Sequence, residues 1–94
     1  MKEQLSGTKE LINFLAYLEV QKNYSVYTRN NYQRDIEDFL TFCSERKISY
    51  QVLTYPEAQS YLVYLYEEKK NQASSVSRKI SAIRRFYQYL SNQN

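Results

Sequence analysis

The stretch SSVSRKISAIRRFYQYL, Ser74 to Leu90, carries two patterns at once. At about 100° per residue, Val76, Ile80, Ile83, Tyr87 and Leu90 fall in one stripe, the i, i+4, i+7 spacing of a helix face packed on a core. The opposite side holds Ser74, Ser77, Arg78, Ser81, Arg85 and Gln88, a strip of small hydroxyls and guanidinium groups with no acid in it. A solvated helix face ordinarily mixes charges of both signs. Short serines let a helix come close to a phosphate backbone or a groove floor, and arginine offers the forked donors that suit phosphate oxygens and guanine edges. The strip therefore predicts a DNA-facing helix, and the competing reading is a solvent-exposed face that is merely basic.

The rest of the chain favours helices throughout. In 94 residues there is room for one small core. Eleven Tyr and four Phe can fill it with rings, whereas one Gly and one Pro are too few for the turns of a β-sandwich. The expected class is all-α. Net charge is only +3, but it is unevenly spread: the last acid is Glu68, and beyond it stand Lys69, Lys70, Arg78, Lys79, Arg84 and Arg85. Such asymmetry points to an oriented polyanion-binding surface.

Four helices are predicted, over about 8–21, 26–46, 55–70 and 75–91. Residues 1–7 read as a loose leader ending at the only glycine, and Thr8 is the expected cap of the first helix. Leu11, Ile12, Phe14, Leu15 and Leu18 form its expected apolar face. Ser25 caps the second, where Tyr32, Ile36, Phe39, Leu40 and Cys43 form a buried stripe edged by Phe42. Its first turns carry Thr28, Arg29, Asn30, Asn31 and Arg34 ahead of any acid, although acids are favoured there by the helix dipole. In the third helix Thr54 and Glu57 fit a capping box with Pro56 in the first turn, and Ala58, Tyr61, Leu62, Leu65 and Tyr66 face inward. Asn71 to Ala73 breaks the chain before Ser74 or Ser75 caps the last helix.

Several chemistries find no support in the sequence. There is no histidine and no glycine-rich phosphate loop. The acid pairs Glu37 with Asp38 and Glu67 with Glu68 are sequence neighbours that diverge around a helix. Cys43 has no partner for a disulfide or metal site and reads as a buried thiol. The expectation is a chain that is not itself an enzyme and takes no cofactor or metal. No stretch has the length of a membrane span, and the amino terminus lacks a signal-like apolar run, so a cytoplasmic location is expected.

Two stretches together carry a family resemblance. SVYTRNNYQRDIEDFLTFC, Ser25 to Cys43, resembles the second helix of the amino-terminal core-binding domain of tyrosine recombinases, the phage-integrase and Xer-like family, through Ser25, Thr28, Tyr32, Asp35, Ile36 and Phe39. The stretch quoted first resembles that domain's serine-rich basic last helix, and FLAYLE, Phe14 to Glu19, its opening helix.

The resemblance implies a four-helix SAM-like orthogonal bundle forming half of a clamp around duplex DNA, with the second and fourth helices at the major groove. It implies Thr28, Asn31 and Arg34, then Ser75, Ser77, Arg78, Ser81 and Arg85, as DNA contacts, with Lys79 and Arg84 reaching phosphate from the flanks. Asp35 is given a structural role beside the basic residues. On this reading residues 1–94 are one core-binding domain, monomeric alone and touching other protomers on DNA. The catalytic domain that breaks and rejoins DNA would lie elsewhere in a larger enzyme. Reversing Arg78 to glutamate is then expected to weaken DNA binding without unfolding. The rival reading is a helical module that binds an acidic protein partner through its tyrosines and basic region.

Overall fold

Local sequence signals set the helix boundaries in the computed structural model, which describes residues 7–93. Four helices follow one another: α1 over Thr8–Val20, α2 over Val26–Glu45, α3 over Tyr55–Glu67 and α4 over Ala73–Asn92. A single 3-10 turn, Tyr50–Val52, lies between α2 and α3, and no strand occurs among the described residues. The all-α expectation holds. The leader expected over residues 1–7 lies outside the described residues apart from Gly7.

Caps explain most of these limits. Ser25 accepts from the Thr28 N–H at 3.1 Å, and at α3 the Thr54 hydroxyl accepts from the Glu57 N–H while the Glu57 carboxylate accepts from the Thr54 N–H at 2.9 Å. Replacing Thr54 by alanine is expected to cost about 1 kcal/mol, read as a lower thermal midpoint with unchanged helicity below it. Two expected caps fall elsewhere. At α1 the N-cap is Gly7, with φ +91°, and Leu11 N–H donates to its carbonyl at 2.9 Å. A Cβ on Gly7 would stand 3.0 Å from the Tyr50 ring and 3.2 Å from Leu40, so glycine is required by both backbone and space. At α4 the cap position is Gln72, two or three residues before the serines expected there.

With so little glycine, the chain closes its helices on other residues. Asn23, Lys47 and Lys70 take φ of +56°, +57° and +56°. The N–H of the next residue then returns to a late helical carbonyl: Tyr24 to Leu18 at 3.0 Å, Ile48 to Cys43 at 2.8 Å, Asn71 to Leu65 at 3.0 Å. Lys70 therefore belongs to the turn, and α3 is shorter than the expected 55–70.

The core joins all four helices and the 3-10 turn. Phe86 of α4 is fully enclosed, with ring centroids 5.5 Å from Phe14 of α1 and 6.4 Å from Tyr50. Tyr61 of α3 lies edge-on to Phe39 and Phe42 of α2 at 5.2 and 4.8 Å. Two residues expected inside are not: Ile12 is 61% exposed and Tyr66 49%. Each sits at the edge of its apolar arc, where no neighbouring helix covers it. The most extensive helix pairing is α2 with α4, and it builds the surface considered next.

Burial raises the Tyr61 and Tyr87 phenols well above their usual value, in Tyr61 with further help from the Asp38 carboxylate. The folded state thus holds these protons more tightly than the unfolded chain. Stability from this source is intact below about pH 10, the unperturbed phenol value, and is lost as pH rises beyond it. Base titration is expected to give late tyrosinate absorbance that appears together with loss of the helical circular-dichroism signal. Ionisation of every tyrosine before any loss of helicity would contradict this.

Candidate nucleic-acid interface

The α4 strip is solvent-facing as expected: Ser74, Ser77, Arg78, Ser81, Arg85 and Gln88 are all exposed. Its buried side, however, is turned from the expected stripe. Val76, Lys79, Ala82, Ile83 and Phe86 are the enclosed residues, while Ile80, Tyr87 and Leu90 are half-buried. At about 100° per residue this is a rotation of roughly 60°. It brings Arg84, expected on a flank, into the strip, and it carries Lys79 inward.

Lys79 is 8% exposed, and its ammonium donates to Asp35 Oδ1 and Asp38 Oδ2, both at 3.2 Å. The structure thus sets Lys79 apart from the other candidate contacts. Arg78 is engaged too. Its Nε donates to Asp35 Oδ2 and its Nη2 to Asp35 Oδ1, both at 3.0 Å, in a side-on bidentate pair. Asp35 is 1% exposed, so an anionic side chain is enclosed in the α2–α4 seam and neutralised by two cations from α4. A charge taken out of water is tolerated only with such partners. This is the structural role expected for Asp35, and it changes the expectation for Arg78. Reversal to glutamate would set a second carboxylate against an enclosed one, so the fold itself would be damaged.

The remaining candidates divide between a cleft and an open edge. Thr28 and Asn31 from α2 and Arg78 and Ser81 from α4 line one shallow cleft of about 180 Å³ between the two helices, with Asp35 at its floor. Thr28 is half-buried, and its hydroxyl accepts from that of Ser25 at 3.1 Å. Arg34 is exposed one turn further along α2 and donates to Asn31 Oδ1 at 2.7 Å. Ser75 is half-buried and Ser77 exposed near the start of α4. Arg85 stands beside the Tyr32 phenol, whose pKa is raised chiefly by burial and by Tyr24, with Arg85 opposing the rise. Among the described residues Arg34, Arg84 and Arg85 form no ion pair.

Asp38 and Tyr32 are the parts of this surface not anticipated as polar partners. A signal existed for the first: Asp35 and Asp38 lie one turn apart beside the apolar stripe of α2, and an acid on a buried face requires a cation. Among the described residues no cluster of three or more His, Cys, Asp or Glu could hold a metal ion, and no helix is long and apolar enough to cross a membrane. Burial raises the Cys43 thiol to about 11, so it is protonated and shielded inside α2.

Comparison with known proteins agrees with this architecture. The family described as phage integrase, N-terminal SAM-like domain, matches residues 11–94. Proteins named tyrosine recombinase XerC are 43% identical over 82 residues in Listeria welshimeri, 38% over 81 in Staphylococcus saprophyticus and 41% over 78 in Halalkalibacterium halodurans. These matches cover 86, 86 and 82% of this chain but only 27, 27 and 25% of the relatives, so the chain spans about a quarter of their length. No solved structure gives a significant match. With four helices in place and the family matching nearly the whole chain, these 94 residues belong to the phage integrase N-terminal SAM-like domain family.

Proposed function

We propose that this domain binds duplex DNA through the α2–α4 face and positions a tyrosine recombinase on a recombination half-site. The catalytic chemistry then lies in a part of the parent enzyme beyond these residues, and the partners are DNA and other protomers assembled on it. One observation carries the reading: among the described residues an acid-free exposed strip of serines on α4 bears Arg84 and Arg85 without ion pairs, and Arg34 of α2 is likewise without one. Asp35, enclosed beneath this face, and the half-exposed Asp38 beside it are both bound to cations from α4. The face presented to solvent therefore keeps its positive character. The names of the relatives support the same reading.

Binding is expected to be driven by phosphate contacts. Three unpaired guanidiniums on about three phosphates give a slope near −2.7 in log K against log salt, or roughly forty-fold weaker binding at about 200 mM than at about 50 mM. Fluorescence anisotropy of a labelled random-sequence duplex measures this. Arg84→Glu, at an exposed position with no ion pair, is expected to keep the helical content and thermal midpoint while lowering affinity about ten-fold and reducing the slope by about one contact. Equal binding by wild type and this variant would remove the face from consideration. A folded wild type that binds no duplex at either salt would favour a protein partner instead.

A further inference from the structure

We propose that Asp35 is a positioning residue that fixes the Arg78 guanidinium as the reader of a guanine edge in the major groove. This rests on the DNA-binding reading above and adds to it the residue that gives sequence preference. A guanidinium has five N–H donors in one plane. The side-on pair with Asp35 takes one on Nε and one on Nη2, at 3.0 Å each. Three remain, and they include the outer Nη1 and Nη2 pair, whose parallel geometry matches guanine O6 and N7.

The anchor is fixed while the reader is open. Asp35 is 1% exposed and further held by Lys79 at 3.2 Å, whereas the Arg78 side chain is 48% exposed. A long side chain held at two points has already lost much of the rotamer freedom that ordering on DNA would cost. A phosphate, reached from many directions, does not need such a fixed plane; a base edge does. The surroundings agree: Thr28, Asn31 and Ser81, short and uncharged, share the cleft with Arg78, and no other cation lines it. Arg84 and Arg85, which form no ion pair among the described residues, are the ones suited to phosphate.

The test selects bound duplexes from a random pool using wild type, Arg78→Lys and Asp35→Asn, with folding followed by circular dichroism. Wild type is expected to enrich guanine at one position. Replacing that guanine by 7-deazaguanine, which lacks the N7 acceptor, should weaken wild-type binding about ten-fold and leave Arg78→Lys unaffected. Both variants are expected to lose the preference there while keeping other preferences and the salt slope, a pattern that mere destabilisation does not produce. Where Asp35→Asn fails to fold, Arg78→Lys, which keeps a cation opposite Asp35, decides the matter together with the base analogue. A folded Asp35→Asn that retains the guanine preference, or an Arg78→Lys that weakens all duplexes equally, would overturn this proposal and leave DNA binding standing. Wild type that binds no duplex would overturn both.

Discussion

Replacing Asp35 with alanine is expected to cost about 3–5 kcal/mol of folding stability, the usual consequence of removing one member of a buried ion pair. The carboxylate lies in the α2–α4 seam and receives two bonds from Arg78 and one from Lys79. Without it Lys79, itself enclosed, keeps only the half-exposed Asp38 as an anionic partner. Small domains are stable by only about 5–15 kcal/mol, so the variant should show a much lower urea midpoint. An unchanged denaturant slope would show that stability has changed without a change in the surface exposed on unfolding. A loss under about 1 kcal/mol would mean that the network behaves like a surface salt bridge. Replacing all its members by apolar groups of similar volume is a different experiment, and it can be neutral or stabilising. The network is thus better seen as a device that sets how α2 and α4 meet than as a net source of stability.

Phe86→Ala is expected to be comparably severe, at about 3–5 kcal/mol. Phe86 has no exposed surface, and its ring meets Phe14, Tyr50 and Tyr87 at centroid distances of 5.5, 6.4 and 6.1 Å. Truncation leaves a cavity among rings from three separate segments, which cannot all move inward together. At about 4–8 °C per kcal/mol for a domain of this size, the thermal midpoint should fall by more than about 12 °C. Leu90→Ala is the informative partner. Leu90 stands in the apolar stripe expected from spacing but is only half-buried, so its truncation should cost clearly less. Equal losses at the two positions would contradict the rotation of α4 seen in the structure.

That rotation marks a limit of what spacing reveals. Val76 and Ile83 lie inside by either account, so the existence of an apolar side on α4 was legible. Its centre was not, because a lysine and a phenylalanine, Lys79 and Phe86, complete the arc. A lysine inside counts against any hydrophobic pattern until its carboxylates are located. Those are Asp35, 44 residues away in sequence, and Asp38, 41 residues away. Ile12 and Tyr66 show the converse, since their apolar character placed them inside although no helix covers them.

By itself the sequence determined the helical class, the four segments, the caps at Ser25 and Thr54, and the serine and arginine strip of α4. These depend on interactions within a few residues, namely helical periodicity and first-turn hydrogen bonds. The tertiary structure alone decided which cations remain available on that strip. Arg78 and Lys79 are adjacent and equally basic, yet one is half-exposed with donors free and the other is enclosed between two carboxylates. The physical reason is that charge is a property of a residue, whereas its neutralisation depends on which acid the facing helix brings within about 3 Å, the reach of a charge-assisted hydrogen bond.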